Sequence, residues 1–350
     1  MKSLETFTGE PEDSRLGITC LGIESTAHTF GVSIISAGEN INPEILSDIR
    51  RIYQPEKGKG IHPREASRHH AKIAASTVAE ALKKAKTPME DIDIISFSQG
   101  PGLGPCLRVG AVVARSISAY YHLPLIPVNH AVAHIELAAM LTGVSDPLVL
   151  LVSGGHTVIT SLTSGRWRVF GETLDITVGQ LIDQFGRVAG FSSPFGRTFE
   201  NYAKKSQNFI DLPYTVKGND VSFSGLLTAS KRLFSDDKKL EDICFSIQET
   251  GFAMLAESVE RALVFTEKDE LLVVGGVAAN NRLRNMLQEV CKIHNSKFFS
   301  IPKVFSGDCG AQISWNGLQA FKAGISVDIS ESSIKPYWRL DGVDVKWRSN

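Results

Sequence analysis

The sequence predicts an α/β fold made of two similar lobes, and three observations support this prediction. The chain has 350 residues, of which 43% are apolar, and this is enough for two domains with a core each. Strand-like and helix-like segments alternate along the chain, as they do in sheets covered by helices. The same order of segments, opening on a strand, a turn and a strand, starts again near residue 146.

The first half begins with three predicted strands, because short apolar runs are separated there by turn residues. A helix follows, in which apolar side chains recur at spacings of three and four, and two strand–helix pairs complete this half. The predicted strands are 18–24, 30–35, 45–53, 91–98 and 123–128, and the predicted helices are 63–86, 108–121 and 130–141.

The second half repeats this order, with an insertion of roughly 65 residues between its third strand and its long helix. The predicted strands are 147–152, 157–162, 166–170, 269–276 and 296–301, and the predicted helices are 176–190, 240–265, 280–294 and 310–323. We therefore expect a disordered N-terminal extension at residues 1–17 and a first lobe at 18–145. The second lobe, 146–350, carries the helical insertion, the nucleotide-binding segments and a C-terminal tail.

This duplicated order is that of the actin-like ATPases and sugar kinases, also described as the ASKHA or ribonuclease-H-like fold. In such a fold two lobes lie around a cleft and the opening turn of each lobe points into it. Exposed backbone amides in those turns can hold phosphate. The architecture therefore predicts a nucleotide site, but it does not define the reaction.

The charge balance does not indicate a general nucleic-acid-binding surface. The chain carries 37 basic and 38 acidic side chains, which gives a net charge of −1. Nucleic-acid binders often have a basic excess. Any RNA-binding surface is therefore local, or it is supplied by another subunit.

The composition indicates an intracellular protein. The five cysteines lie far apart and form no CxxC pair, which argues against a disulfide framework or a structural zinc site. The first 17 residues are acidic and lack an apolar run, so they resemble neither a signal peptide nor a transit peptide. No stretch reaches the roughly 20 apolar residues that span a bilayer. We expect a cytoplasmic protein, also nuclear in a eukaryotic cell, with no membrane partner.

The segment HAVAH places His130 and His134 four residues apart at the start of a predicted helix. Both imidazoles then project from one face and can bind one ion such as zinc or iron, if an oxygen ligand comes from elsewhere. Two core or capping histidines are the alternative for an isolated pair. Ala131 follows His130, so the glutamate of the HExxH zinc proteases is missing.

Three further segments suit an anionic ligand or a metal. In VSGGHT, the turn Ser153–Gly155 can bring its amides to an anion, or it is an ordinary hairpin turn. In VVGGVAANNRL, two glycines end a strand and a helix begins near Asn280, which suits a nucleotide or is a plain strand–helix connection. In FSGDCGAQI, Asp308 precedes a helix. An aspartate there is usually an N-cap, but it can also supply the missing oxygen ligand.

Taken together, these segments resemble one family closely. The chain contains, in this order, GIESTAHT, ASRHHA, QGPGLGPCLRVG, VNHAVAHIE, VSGGHT, FGETLDI, LPYTVKGNDVSFSG, SIQETGFAML and GGVAANNRL. These are similar to segments of the catalytic subunits of tRNA threonylcarbamoyl-adenosine synthases (the TsaD family), particularly the archaeal and eukaryotic branch in KEOPS complexes. The resemblance extends from about Ile18 to Trp347.

The resemblance implies an acyltransferase that moves the threonylcarbamoyl group of threonylcarbamoyl-AMP to the N6 amine of the adenosine beside the anticodon of tRNA. It implies one divalent metal ion, zinc or iron, bound by His130, His134 and Asp308. It also implies a site for the ATP- or AMP-type nucleotide of the substrate, formed by Ser153, Gly154, Gly155, Asp183, Gly196, Glu200 and Asn280.

The resemblance further implies partners, namely tRNA, a small kinase-like ATPase and a dimerising subunit, with the first-lobe helices as docking surface. No general base is evident. Glu24, in the first-lobe turn, is the best candidate for a polar or catalytic role, and hydrogen bonding within the turn is the alternative.

Three positions depart from the family's pattern. Leu151 stands where many archaeal and eukaryotic members have a tyrosine that reaches the metal, so we expect substrate or water to complete the metal shell. FSSPFGRTFE replaces a glycine-rich segment, and its Phe195 and Arg197 put nucleotide affinity in question although Gly196 and Glu200 remain. Cys309 replaces an asparagine, and we expect it to be a bystander.

Two other functions stay open at this point. An ATP-binding scaffold subunit without catalysis is favoured by the divergent residues 195–198 and opposed by the three retained metal ligands. A metalloprotease is opposed by the missing glutamate after His130.

Overall fold

The computed structural model describes residues 17–38, 42–56, 59–192 and 195–348. The strands are β1 (Ile18–Glu24), β2 (Thr29–Ala37), β3 (Glu44–Ile52), β4 (Ile94–Gly100), β5 (Leu125–Asn129), β6 (Leu148–Val152), β7 (Thr157–Thr163), β8 (Arg166–Glu172), β9 (Val216–Lys217), β10 (Asp220–Val221), β11 (Glu270–Val274) and β12 (Lys297–Ser300). The α-helices are α1 (Pro63–Ala85), α2 (Gly104–Tyr121), α3 (His130–Thr142), α4 (Val178–Val188), α5 (Phe195–Ala203), α6 (Ser224–Ser235), α7 (Leu240–Thr266), α8 (Asn281–Ile293) and α9 (Gly310–Lys322). The predicted disordered extension, residues 1–17, lies outside the described residues apart from Gly17.

Ten of these strands form two mixed sheets with the same topology. The first sheet has the order β3-β2-β1-β4-β5 and the second the order β8-β7-β6-β11-β12. In each sheet the strands of the opening meander are antiparallel, and the last two strands join in parallel. The predicted duplication is therefore confirmed. The predicted insertion contains α4, α5, the β9–β10 hairpin and α6.

Helices cover both faces of the sheets, so the central strands are buried. Every residue of β4 and of β6 is buried, as expected for strands that have helices on both sides. Leu21 and Phe97 of the first sheet share a core with α1 and α2. Leu150 and Val273 of the second sheet share another core with α7 and the insertion helices.

Helix α9 packs against the first sheet, although the sequence analysis places residues 310–322 in the second lobe. Its close approach depends on glycines. A Cβ on Gly22 of β1 would lie 2.3 Å from Ser314 N, and one on Gly317 would lie 2.3 Å from Ser96 Cβ. The same helix also packs against α3. Apart from α9, the predicted division into lobes between residues 145 and 146 stays a prediction.

Helix α2 begins four residues before its predicted start. Pro105 lies in its first turn, where a residue without an N–H group costs nothing. The PGLGP segment is therefore both the turn after β4 and the start of α2. Across the described ranges, no helix combines the length and the apolar character that crossing a membrane requires.

The C-terminal strap, residues 332–348, connects the two sheets over the surface. In its first part, Lys335 N donates to Gln99 O at the end of β4. In its last part, Val345 N donates to Gly165 O in the turn between β7 and β8. The strap therefore contacts both lobes, which a tail belonging to the second lobe alone would not do.

Candidate metal centre and nucleotide site

The two histidines of HAVAH lie in the first turn and a half of α3. The Asn129 side chain caps this helix by accepting from Ala131 N and Val132 N, a role in which asparagine is strongly favoured. His130 and His134 are 6% and 1% exposed, and their ring centroids are 4.6 Å apart. The sequence prediction that both rings share one helix face is confirmed.

Asp308 reaches these histidines from the turn before α9. Its Oδ1 lies 3.3 Å from His134 Nε2 and 3.6 Å from His130 Nε2. One ligand atom from each residue lies within 4.8 Å of the others. In a tetrahedral zinc site with bonds of about 2.0–2.1 Å, neighbouring ligand atoms are about 3.3 Å apart. The two distances from Asp308 are close to this spacing, so the three residues form a candidate site for a single ion, and two nitrogens with one oxygen suit zinc or iron.

Glu24 holds His130 from the side opposite the candidate ion. Its Oε2 lies 2.9 Å from His130 Nδ1, and its Oε1 accepts from the backbone N–H and the hydroxyl of Thr26. Gln312 Nε2 lies 3.0 Å from His130 Nδ1 and 3.5 Å from Glu24 Oε2. A carboxylate that accepts from the second nitrogen of a metal-binding histidine fixes its tautomer and orientation. Glu24 is fully buried and contacts both the turn in which it lies and the candidate metal ligand His130.

The charges of this buried site favour a bound cation. Burial opposes protonation of His130, but the nearby carboxylates of Glu24 and Asp308 raise its pKa to about 9. Burial lowers the pKa of His134. Burial also disfavours the charged form of Asp308, yet the hydrogen bond with His134 and the charge of His130 hold its pKa well below the usual range. The fully buried Glu24 and the half-buried Asp308 thus place two carboxylates around the histidine pair, and their negative charge favours a cation there.

The turn Ser153–Gly155 is built differently from the predicted amide cradle. Ser153 Oγ accepts from Gly155 N and His156 N, and Ser153 N donates to His156 O. Among the three amides of this turn, only the Gly154 N–H has no partner within the described chain. Gly154 O accepts from the Thr177 hydroxyl at the start of α4. Two of the three amides thus serve the hairpin turn, as in the alternative interpretation, and the Gly154 amide is available to an anion.

Two of the four remaining predicted nucleotide residues, Glu200 and Asn280, lie at the start of α8. Glu200 of α5 accepts from Asn281 Nδ2 at 3.0 Å. Asn280 caps α8, and its Nδ2 donates to Gln248 Oε1. Its polar atoms are therefore in use, which supports the alternative of a structural strand–helix connection. Gly196 leaves open space where a Cβ would stand.

Asp183 lies on α4, which is anchored to the Ser153–Gly155 turn. It is half-buried, and burial raises its pKa while the charges of Arg187 and His28 oppose this shift. No hydrogen bond of its carboxyl group occurs within the described residues, so Asp183 is free to accept one from a ligand.

Two residues at the site were not assigned a role from the sequence. Gln312 lies one helical turn after Asp308, a spacing that could have indicated it. His156 follows the glycine turn, and its ring centroid is 6.4 Å from that of His130. His156 immediately follows the Ser153–Gly155 turn, so this turn and the candidate metal ligands lie close together.

The departures from the family pattern are now explained in part. Leu151 is fully buried in the core and cannot reach an ion. Cys309 is also fully buried, and burial raises the pKa of its thiol well above the usual range. Its Sγ points to Gln312 Oε1 at 3.6 Å. Cys309 is therefore not one of the three side chains whose ligand atoms meet at the candidate metal centre.

The chain is similar to named proteins over nearly its whole length. The profile of the family described as TsaD: tRNA N6-adenosine threonylcarbamoyltransferase matches residues 44–315. A protein of that enzyme name from Caldivirga maquilingensis is 49% identical over 327 residues, which cover 93% of this chain and 97% of that protein. Another of the same name from Thermococcus sibiricus is 48% identical over 328 residues, covering 93% and 99%. A protein from Methanocaldococcus jannaschii named probable bifunctional tRNA threonylcarbamoyladenosine biosynthesis protein is 48% identical, covering 94% and 60%.

Solved structures with the same architecture are much less similar in sequence. HypF from T. kodakarensis superposes with a TM-score of 0.60 at 14% identity, covering 89% of this chain and 49% of that one. The activator of 2-hydroxyisocaproyl-CoA dehydratase from Clostridium difficile gives 0.54 at 13% identity, covering 88% and 96%. At these identities the likeness concerns the fold alone, and it confirms the predicted actin-like fold. With its profile match and its relatives of almost half identity, the chain belongs to the TsaD family of tRNA N6-adenosine threonylcarbamoyltransferases.

Proposed function

We propose that this chain transfers the threonylcarbamoyl group from threonylcarbamoyl-AMP to the N6 amine of the adenosine beside the anticodon of tRNA. In this reaction the lone pair of the amine attacks the carbamoyl carbon. The bond from that carbon to the phosphate oxygen breaks, AMP leaves with its electron pair, and the amine loses one proton to solvent. The observation that carries the proposal is the meeting of His130, His134 and Asp308 at one point, in a chain of this family.

The three ligands would hold a divalent zinc or iron ion. Such an ion, when bound, supplies a Lewis acid that polarises substrate oxygens and orients the threonyl part. Glu24 and Gln312 keep the His130 ring in its orientation. The chain's contribution at this point is therefore to fix the position of the acyl group, which can lower a barrier considerably without a strong base.

The second lobe holds the nucleotide part of the substrate in this proposal. The free Gly154 amide can donate to the phosphate or to the charge that develops on the carbamoyl oxygen. The Asp183 carboxyl group can accept from a sugar hydroxyl, and Gly196 leaves space for an adenosine beside Glu200. Phosphate is already a good leaving group, so these residues act mainly by orientation.

Other subunits complete the activity. The family resemblance suggests a KEOPS-type complex with a small kinase-like ATPase and a dimerising subunit, docked on α1 and α2. Exposed apolar side chains on α2 support a docking face, since Tyr120 is 77% exposed. The near-zero net charge also suggests that much of the tRNA affinity comes from partners. Because tRNA is the substrate, we place the enzyme in the cytoplasm, and also in the nucleus of a eukaryotic cell.

The experiment is a modification assay with threonylcarbamoyl-AMP and tRNA, combined with metal analysis of the purified chain. We expect His130→Ala and Asp308→Ala each to lower modification by more than about 100-fold and to lower the metal content, because each removes one of three ligands. Circular dichroism should show an unchanged fold. The matched control is His294→Ala. His294 lies at the end of α8, away from the candidate metal centre, and pairs with Glu260 of α7.

Three results would contradict the proposal. A fully active His130→Ala/Asp308→Ala double variant would remove the metal role. Normal tRNA binding without transfer by the complete complex would favour the scaffold alternative. Chelator-sensitive cleavage of peptides would favour a metalloprotease, which Ala131 opposes because it stands where that class has its catalytic glutamate.

A further inference from the structure

The first part of the C-terminal strap displays an aromatic side chain on an ordered backbone. Tyr337 is 93% exposed, the most of any large apolar or aromatic side chain among the described residues. Its neighbours are fixed, because Gly102 N donates to Pro336 O at 3.1 Å and Trp338 N donates to Lys335 O at 3.1 Å. A ring presented in this way loses little conformational entropy when a partner covers it.

This aromatic side chain is connected directly to the candidate metal centre. Asn129 Nδ2 donates to Trp338 O at 3.0 Å, and Asn129 is the cap residue that immediately precedes His130. Tyr337 immediately precedes Trp338, so one hydrogen bond and two peptide units separate its backbone from that of the metal ligand. The strap lies at the carboxyl ends of β4 and β5, which is the edge where α/β sheets bind ligands.

Two cations lie on the same edge. Lys335 is exposed, with its ammonium group 4.7 Å from the centre of the Trp338 ring. Arg108 lies one helical turn after Gly104, where a Cβ would be 3.8 Å from Pro336. It is exposed and makes no ion pair with another described residue. Arg339, in contrast, is engaged by carboxylates at its end of the strap.

Exposed aromatic rings beside cations are the usual means of binding single-stranded RNA, since bases stack on the rings and phosphates pair with the cations. In the proposed reaction one adenosine of the anticodon loop enters the cleft, so its neighbours remain at the edge of the first sheet. We propose that Tyr337, Lys335 and Arg108 form a docking surface for the anticodon loop of tRNA. This inference rests on the proposed function and names a contact surface for its RNA substrate.

The test measures KM for tRNA and kcat in the reconstituted enzyme, together with binding of a fluorescent anticodon stem-loop by anisotropy. We expect Tyr337→Ala to raise KM and Kd about 5- to 100-fold, as loss of one stacked base does, with kcat at saturating tRNA unchanged. Tyr337→Phe keeps the ring and should stay within about twofold of the wild type. Lys335→Ala and Arg108→Ala should each lower the salt dependence of binding by about one unit of slope.

The control is Phe209→Ala, which removes an aromatic side chain that is 51% exposed on the insertion. The proposal is overturned if Tyr337→Ala behaves like this control in both KM and RNA binding. It is equally overturned if Tyr337→Ala releases a partner subunit while RNA affinity is kept, because the surface then binds protein. Failure of the proposed function has a different signature, namely no modification by the wild-type enzyme.

Discussion

At the scale of single residues, His130 has more partners than any other predicted ligand. It faces Asp308 through one ring nitrogen, while Glu24 and Gln312 lie beside the other. His134 lacks this second support, since its Nδ1 is buried without a hydrogen-bond partner in the described part of the chain. We therefore expect the orientation of the His130 ring to depend on Glu24.

The change Glu24→Gln keeps the size of the side chain and removes its charge. We expect metal affinity to fall about 10- to 100-fold, because a carboxylate that orients a ligand histidine also raises its basicity. Titration with cobalt(II), followed by visible absorption, measures this without any turnover. Glu44→Gln, at the exposed first residue of β3, is the matched control. If the Glu24 variant and the control bind cobalt equally well, Glu24 stabilises only the turn in which it lies, through its hydrogen bonds with Thr26.

His70 of α1 contacts the turn that follows Glu24, and its buried ring predicts that the free energy of unfolding depends on pH. It is fully buried, and its Nε2 lies 3.0 Å from Ala27 O. Burial, which the Ala27 hydrogen bond opposes, lowers its pKa from 6.5 to about 4. The unfolded chain therefore binds more protons between these values, so the free energy of unfolding falls as pH falls from 6.5 towards 4. At pH 5 the loss from this residue is about 2 kcal/mol.

Urea unfolding at pH 5 and pH 8 measures this effect. The His70→Gln variant, whose amide can still donate to Ala27 O, should lose about 2 kcal/mol less than the wild type over this range. His122→Gln changes an exposed histidine at the end of α2 and serves as the control. If both variants lose as much stability between pH 8 and pH 5 as the wild type does, His70 does not remain neutral in the folded state.

At the scale of elements, the sequence predicted most helices and strands because their apolar periodicity is clear. The β6–β7 turn was located correctly, but the use of its amides was not predictable, since that depends on where the Ser153 hydroxyl points. The start of α2 was predicted too late because Pro105 reads equally as a turn residue or as the first turn of a helix. The packing partner of α9 was also missed, because a periodic pattern shows which face is apolar but not which sheet covers it.

The contact of α9 with the first sheet can be tested at Gly310. A Cβ there would lie 2.5 Å from Ser33 N and 2.6 Å from Val32 C, which are backbone atoms that cannot move aside easily. We expect Gly310→Ala to lower the free energy of unfolding by about 1 to 3 kcal/mol. It should also weaken metal binding, because Asp308 lies two residues before this contact.

Gly307→Ala is the matched control in the same turn, since a Cβ at Gly307 meets no atom within 4 Å. Its stability should stay within about 0.5 kcal/mol of the wild type. Denaturant unfolding and cobalt titration of the two variants give both quantities. Equal stability of the two would mean that α9 does not depend on this close approach to position Asp308.

At the scale of the whole molecule, the duplicated order of elements was sufficient to predict the fold, whereas the grouping of His130, His134 and Asp308 was predicted from the family resemblance. His134 and Asp308 are 174 residues apart in the chain, yet they meet because His134 lies on α3, Asp308 lies just before α9, and these two helices pack together. The C-terminal strap could not be predicted in the same way. It has short helical turns and no long periodic segment, so its course depends on individual ion pairs and hydrogen bonds.

The strongest of these ion pairs joins Arg348 of the strap to Glu136 of α3, the helix that carries both histidines. The two side chains are 15% and 0% exposed, with Arg348 Nε 2.8 Å from Glu136 Oε2. Removing Arg348 leaves a buried carboxylate without its cation, so we expect Arg348→Ala to cost about 3 to 5 kcal/mol. The exposed ion pair between Arg166 of β8 and Asp344 of the strap should contribute less than about 1 kcal/mol, as measured by the loss of stability in Arg166→Ala.

A second variant separates the charge effect from a loss of packing. If the cost of Arg348→Ala comes from the unpaired carboxylate, adding Glu136→Gln removes that charge and should restore at least about 1 kcal/mol. Burial already raises the pKa of Glu136, so the neutral form is the one that the unpaired site favours. Equal stability of the single and double variants in urea unfolding would show that Arg348 acts through its packing over Trp167. In that case the strap would be held by the contact of the Arg348 guanidinium with the Trp167 ring, and α3 would not depend on the ion pair to keep the metal ligands in place.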